Sequence, residues 1–413
     1  MDVVFLDNGL IGKGEHSFTL IREVGDALSR RGVGWTAYGA RRMNPQVAQE
    51  LGAVPHFSHS LYESVGASAN EWRLMRAAAF LTARRFDPNL PTERASARVM
   101  NRAFAQDILA LPERAFGPGR LVALPGVAQH QLPGLVEALL ATAPERRPRV
   151  LCQLMFAPDW TPWGTPGRLG PRLYARAFKK ARPLIGKTLF FGAENAAIAG
   201  LYRAAYGVEA ALLPVPFGGA EKARQVPARP CFAFFGYSKA DKGFHLLPEA
   251  IAICRARGLD ADFLVQIQHG GWEASTVAAE KALRALEGVR LIEGVLDEAA
   301  YAAAAHEADA MLLPYDPTLF GLRGSGIFTQ ATAAGRPVVA SAGAFAAAAV
   351  AAGEAEGEVF FPYDAKAFAD AIMRLAARMP TAHKKAAALA ADFARRHTPD
   401  AYADVLLAHA GGL

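Results

Sequence analysis

Residues 311–341 read MLLPYDPTLFGLRGSGIFTQATAAGRPVVAS, and the fold is decided there. Met311-Leu312-Leu313 is a short apolar strand stopped by Pro314. A loop runs to Arg323-Gly324-Ser325-Gly326, a helix-compatible run follows as far as Gly335, and Pro337 opens a second apolar strand, Val338-Val339-Ala340. The order is strand, glycine loop, helix, strand. A helix N-terminus has unpaired N–H donors and a partial positive charge. Glycines there let a phosphate approach the backbone. Ser325 adds a hydroxyl and Arg323 a forked cation suited to phosphate oxygens. An ordinary strand-to-helix turn accounts for the same residues, because short glycine motifs recur by chance.

At 413 residues, and at roughly 150 residues per domain, two or three domains are expected. Hydrophobic content of 52% with 20% charged residues describes a soluble globular chain with ample core. No apolar run reaches the roughly 20 residues that cross a bilayer. MDVVFLD opens directly on a strand without a basic region before it, so no signal peptide is expected. The cysteines, Cys152, Cys231 and Cys254, are far apart and match no metal pattern, which favours a reducing cytoplasm. The net charge of +6 favours anionic partners without choosing among them.

Val3–Leu6 has the continuous apolar character of a buried parallel strand. The loop Asp7-Asn8-Gly9-Leu10-Ile11-Gly12-Lys13-Gly14 follows, then a helix with Ile21, Val24 and Leu28 on one face, then a strand at 35–38. A dinucleotide site is disfavoured: the glycine spacing is reversed, and no acid ends the second strand to hold a ribose. Arg41 and Arg42 are left as an alternative for a 2′-phosphate. Residues 45–120 are helical fragments around an Arg-rich middle. Strands are expected at 121–124, 150–154 and 188–191, and the alternation argues for a parallel α/β sheet. Residues 158–170, with two tryptophans, read as a loop over an opening. Residues 172–187 read as a basic amphipathic helix, suited either to solvent or to an anionic membrane surface.

Residues 214–230, with four prolines and two glycines, have the composition of a linker. A second alternating series follows, with strands at 231–235, 263–267, 289–292 and 311–313. Residues 344–396 are Ala-rich and helical in propensity, and 400–409 form a last helix. Two α/β domains place a ligand cleft at their strand ends. The Arg323–Gly326 loop, the Gly9–Gly14 loop and Phe235–Gly243 (FGYSKADKG) are expected to face it. Lys239 and Lys242, three apart on a tight loop, both reach one diphosphate in this reading. Two cations there stabilise the charge that builds as a diphosphate leaves a sugar.

The pattern FFGYSKADKGFHLL, followed by LLPYD…LRGSGIFTQATAAGRPVVAS, resembles family 4 glycosyltransferases of the GT-B fold. The resemblance covers most of 185–413. It implies two Rossmann-like domains with parallel sheets facing an interdomain cleft. The expected division is an acceptor domain at 1–222, a nucleotide-sugar donor domain at 223–395, and a C-terminal helix at 396–413 packing back on the first. The implied activity is a retaining transfer from a nucleotide-diphosphate sugar to a glycan or lipid-linked acceptor, in polysaccharide or glycolipid synthesis. No metal and no cofactor are expected, and no nucleic-acid partner. The Asp260-Ala261-Asp262 triplet is then a corner, not a metal site.

By position, the resemblance puts Lys242 on the donor diphosphate, with Lys239 where relatives have arginine. Gly324, Ser325 and Gly326 become phosphate donors, the base lies near Glu293, Gly294 and Val295, and Gly12 and Gly14 approach the phosphates and sugar. Relatives carry two glutamates eight positions apart; here Leu322 and Gln330 stand in those places. Gln330 keeps a hydrogen-bonding contact for the ribose, and Asp316 is a candidate replacement for the other. The usual N-terminal histidine is absent after Leu154, leaving His16 and His130 as candidates for the sugar. Competing readings are a non-catalytic nucleotide-binding protein, a sugar-nucleotide epimerase and a dinucleotide oxidoreductase. The expected location is the cytoplasm, with 172–187 a candidate contact at the inner membrane face.

Overall fold

The computed structural model describes residues 2–13, 16–81, 89–162, 167–216, 227–269 and 273–410. It divides into two units, Met1–Pro216 with Pro399–Leu413, and Phe217–Thr398. Gly14 and most of the expected linker, 217–226, lie outside the described residues.

In chain order, unit 1 begins with β1 (Asp2–Leu6), α1 (His16–Arg30), β2 (Gly34–Ala40), α2 (Pro45–Leu51), β3 (Val54–Phe57), α3 (Ala69–Leu81) and α4 (Leu90–Leu109). It continues with β4 (Arg120–Val127), α5 (Leu132–Ala141), β5 (Arg149–Leu154), α6 (Gly170–Ala181), β6 (Leu189–Ala193), α7 (Ala196–Tyr206) and β7 (Ala211–Leu212). Its strands are parallel in the order β3-β2-β1-β4-β5-β6-β7. Val3 and Phe5 of β1 are fully buried against Ile21, Val24 and Leu28 of α1, the stripe legible in the sequence.

Unit 2 holds β8 (Cys231–Phe234), β9 (Tyr237–Ser238), α8 (Leu247–Ala256), β10 (Asp262–His269), α9 (Ala274–Ala285), β11 (Val289–Glu293) and α10 (Glu298–Glu307). Then come β12 (Ala310–Leu313), α11 (Pro317–Phe320), α12 (Gly326–Ala333), β13 (Val338–Ser341), α13 (Phe345–Ala351), β14 (Gly357–Phe360), α14 (Ala365–Ala377) and α15 (Met379–Arg396). The sheet runs β11-β10-β8-β12-β13-β14, with β9 on β10. Side chains alternate across a strand, so Phe232 and Phe234 enter one core layer and Ala233 and Phe235 the other. The last helix, α16 (Pro399–Ala410), packs in unit 1: Tyr402 and Leu406 join its core, and Arg30 bonds Asp400 at 2.8 Å.

The structure corrects two readings. Residues 344–396 are not helical throughout, because β14 interrupts them. A Cβ on Gly357 would sit 2.1 Å from the Val338 carbonyl, so the glycine permits an approach that sheet pairing then exploits against alanine's helix propensity. The basic helix ends at Ala181 rather than Lys187, since Pro183 cannot continue it. Its apolar face, Tyr174, Ala177, Phe178 and Ala181, is buried in unit 1's own core, which leaves only the cationic face outward. Arg229 bonds Asp262 at 2.9 Å and lies 3.5 Å from Asp260, which pins the acidic corner. No helix among the described residues is long and apolar enough to cross a membrane.

Candidate functional site

Three cations of unit 2, Lys239, Lys242 and Arg323, lie where β8 and β12 end. After β8 the chain turns at Gly236 (φ +99°), pairs briefly as β9, makes a 3-10 turn at Ala240–Lys242, and reverses at Gly243 (φ +69°). A Cβ on Gly243 would lie 1.7 Å from the Pro314 carbonyl, so this turn presses directly on the end of β12. Asp316 donates its backbone N–H to the Asp241 carbonyl at 2.8 Å and joins the two loops a second time.

Lys242 is half-buried, and a Cβ on Gly236 would sit 2.8 Å from its Nζ. Its pKa is pushed down to about 8, first by burial, then by the Arg323 guanidinium and by Lys239, against the pull of Asp241. Loss of water and neighbouring cations both disfavour an ammonium. The Lys239 and Lys242 ammoniums lie 5.3 and 5.8 Å from the Tyr237 ring centroid. Neither makes an ion pair or hydrogen bond with the described residues. Asp241 Oδ1 is buried without a partner among them. Lys242 thus feels two further cations, Arg323 and Lys239, and one carboxylate, Asp241, an arrangement that suits an anion.

The Arg323–Gly326 loop completes the group. Ser325 caps α12 by accepting the Phe328 N–H at 3.3 Å, and its hydroxyl lies 3.2 Å from that of Tyr315. Tyr315 is pushed up to about 12 by burial, while Ser325 and Arg323 pull it down. A Cβ on Gly326 would meet nothing, so the space above the helix's first N–H groups is open. Arg323 packs over Phe320 at 5.1 Å.

The other expected residues are placed as follows. Gln330 Oε1 accepts from the Tyr301 hydroxyl. Gly294 turns at φ +76°, and its carbonyl accepts from Gln266 Nε2 at 2.8 Å. Glu293 is tied to Arg284 at 2.6 Å, and Val295 is 66% exposed. Asp316 caps α11, its Oδ1 accepting from the Thr318 N–H at 2.8 Å and its hydroxyl at 2.7 Å, so one oxygen of its carboxylate is already committed. In unit 1, Gly12 sits in the loop after β1, His16 opens α1 exposed, and His130 is fully buried. Arg41 and Arg42 lie 3.6 Å from Asp107 and Glu63, partners that compete with a 2′-phosphate.

Gln266 went unread in the sequence. Its side chain accepts from the Gly236 N–H at 2.9 Å and donates to Gly294, bridging the Gly236–Gly243 loop and the expected base loop. A glutamine inside an otherwise apolar strand was the available signal.

Residues 229–378 match the family described as Glycosyl transferases group 1. No curated protein matches the chain. Among solved structures it is similar to HepE from Anabaena in complex with UDP, at 15% identity over all of both chains and a TM-score of 0.62. A glycosyltransferase from Rickettsia africae is similar at 12% identity and a TM-score of 0.63, over 100% of this chain and 99% of that one. A UDP-forming α,α-trehalose-phosphate synthase from Burkholderia vietnamiensis is similar at 13% identity over all of both chains, with a TM-score of 0.61. The two parallel-sheet, Rossmann-like units have the GT-B fold, and residues 229–378 match the model of group 1 glycosyl transferases.

Proposed function

We propose that this chain is a retaining glycosyltransferase that moves a sugar from a nucleoside-diphosphate donor to a glycan or lipid-linked acceptor, without a metal. The carrying observation is the gathering of Lys239, Lys242 and Arg323 beside the open N-terminus of α12. As the bond from anomeric carbon to phosphate breaks, its electron pair leaves with the diphosphate, and the cations stabilise the oxygen that receives it. That oxygen takes the proton from the attacking acceptor hydroxyl on the same face, which keeps the anomeric configuration. Lys242→Ala should lower turnover by about 100-fold or more, the usual loss when one electrostatic contact leaves a shielded site. The assay is release of nucleoside diphosphate from a panel of nucleotide sugars; a near-normal rate in the variant would refute the clamp.

UDP is the first probe, since HepE was solved with UDP and with UDP-glucose. A second reading, a nucleotide-binding protein without turnover, is favoured by Leu322 and Gln330; steady diphosphate release excludes it. Work at the inner membrane face is part of the proposal. Arg172, Arg176 and Lys179 are exposed on α6 and unpaired among the described residues, and this contact is electrostatic because the apolar face is occupied. Liposome pelleting that Lys179→Glu leaves unchanged would remove this part.

A further inference from the structure

Gln266 sits mid-strand in β10, 3% exposed, between the fully buried Val265 and Ile267. An amide in such a layer is costly unless both of its ends are paired. Both are paired here: Oε1 accepts from the Gly236 N–H at 2.9 Å, and Nε2 donates to the Gly294 carbonyl at 2.8 Å. An aliphatic side chain would fill the same space without either bond. A glutamate would keep the acceptor and lose the donor.

Both partners are glycines at positive φ, +99° and +76°, and each follows the end of a strand. Gly236 leads into the turn that carries Lys239 and Lys242. Gly294 leads toward the expected position of the nucleotide base. Buried as it is, Gln266 does not reach a ligand, and it acts through these two loops. Sites keep their geometry when buried side chains of this kind hold the groups that touch the ligand.

The two loops are anchored unequally. The Gly236–Gly243 loop is fixed again at its far end, where Gly243 presses on the Pro314 carbonyl and the Asp241 carbonyl accepts from the Asp316 N–H at 2.8 Å. Its β9 residues also pair with β10, and Ser238 Oγ accepts from the Gln268 N–H at 3.1 Å. After β11, Gly294 is tied to β10 by its N–H to the Ile267 carbonyl at 2.8 Å and by its carbonyl to Gln266. Glu293 beside it bonds Arg284 at the surface, where an ion pair contributes little. Val295 beyond it is 66% exposed. The loop after β11 therefore depends on Gln266 more than the lysine loop does.

The amide also stands one contact from the cations. A Cβ on Gly236 would lie 2.8 Å from Lys242 Nζ, so that ammonium rests against the glycine whose N–H Gln266 holds. Contacts run from Lys242 through Gly236 and Gln266 to Gly294 without a break. Energetic coupling between two subsites is carried by packed, hydrogen-bonded chains of this sort.

We propose that Gln266 is a positioning residue that couples the two loops: an anion drawn onto Lys239 and Lys242 fixes Gly236, and through the amide fixes Gly294 for the base and ribose of the same ligand. This rests on the reading that unit 2 takes a nucleoside diphosphate, and it does not require that a sugar be transferred.

The test uses the full chain, with calorimetry of UDP and pyrophosphate and amide NMR of Gly294. Pyrophosphate, which has no base, should shift the Gly294 amide signal in the parent chain. Gln266→Met keeps the volume and removes both hydrogen bonds, and there the shift should vanish. UDP should bind that variant about fivefold to tenfold more weakly, the worth of one lost contact, while pyrophosphate stays within about twofold because the lysine loop keeps its other anchors. A general loss of structure would weaken both ligands together. A Gly294 amide that pyrophosphate leaves unmoved in the parent chain would overturn the proposal whether or not the variant folds. So would a variant that binds UDP as the parent does, or that loses UDP and pyrophosphate in equal measure. UDP binding with the predicted coupling but no diphosphate release from any nucleotide sugar keeps this inference and sinks the transferase reading. Diphosphate release with parent kcat and KM in Gln266→Met does the reverse, and a chain that binds neither UDP nor pyrophosphate sinks both.

Discussion

The shifted ammonium of Lys242 gives nucleotide binding a defined pH dependence. In the free protein Lys242 titrates at about 8. An ordinary lysine titrates near 10.4. A diphosphate placed against it restores the charged form, so binding takes up a proton wherever the free lysine has lost one. Between pH 7 and pH 9 the protonated fraction falls from about nine-tenths to about one-tenth, so Kd should weaken ~10-fold over that range by linkage. At pH 8 uptake should be about half a proton per nucleotide. Phosphate ionisation, near pH 6, is complete below this window. The assay is calorimetry with UDP in buffers of differing ionisation enthalpy, which reads Kd and proton uptake together. Lys242→Arg should flatten the slope, since guanidinium stays charged. Lys242→Met should remove both the slope and much of the affinity. The stability sign is opposite. With the folded pKa below the unfolded one, the folded state loses its proton first, and stability rises with pH between about 8 and 10.4. A Kd that stays flat from pH 7 to pH 9 in the parent chain, with no buffer-dependent heat, would refute placing the diphosphate on Lys242.

Two glycines in the same site should respond in opposite ways. Gly243→Ala drives a Cβ into the Pro314 carbonyl at positive φ and should cost about 2 kcal/mol or more of unit 2 stability by urea unfolding. Gly326→Ala meets open space at the start of α12 and should leave Tm unchanged while weakening UDP, because the methyl group enters the proposed phosphate space. In unit 1, Glu93 accepts the N–H groups of Arg168, Leu169 and Gly170 at 3.1, 2.6 and 3.1 Å. Glu93→Ala should therefore destabilise the chain by about 2–3 kcal/mol in the same unfolding assay. Gln330→Glu still accepts from Tyr301 and adds charge to the proposed ribose contact, so UDP affinity should rise several-fold.

Much of unit 2 was legible because its strands are continuous apolar runs between glycines and prolines. Cys231–Phe234, Phe263–Ile267 and Met311–Leu313 read as buried parallel strands and form them. Lys239, Lys242 and Arg323 were expected together from their places on two glycine loops, and the structure brings them together. The four residues of β14 were hidden by alanine on both sides, where local propensity speaks for helix and only a sheet edge decides otherwise. Val54–Phe57 was hidden in the same way, its alternation broken by Pro55 and His56. Gln266 could not be read as a bridge, since its partners are backbone groups 30 and 28 residues away. Glu93 reaches backbone 75 to 77 residues on. Contacts of that kind leave no local periodicity.

The replacement of both expected glutamates has an electrostatic consequence. With Leu322 and Gln330 in those positions, Asp241 is the carboxylate that acts on Lys242, beside Lys239 and Arg323. Asp316 Oδ1 takes both Thr318 donors, and Asp241 pulls on Lys242 without forming an ion pair among the described residues. Burial lowers the Lys242 pKa first, and the like charges of Arg323 and Lys239 lower it further. An anion relieves that repulsion, whereas a neutral ligand does not. Nucleotide affinity in this chain should thus reside mostly in the diphosphate. UDP and GDP should differ by less than ~10-fold, because one base contact is worth about 1.4 kcal/mol or less beside a charge-assisted pair worth 1.5–3 each. Uridine alone binding as tightly as UDP would show the compensation to be complete without the ligand and would refute the argument.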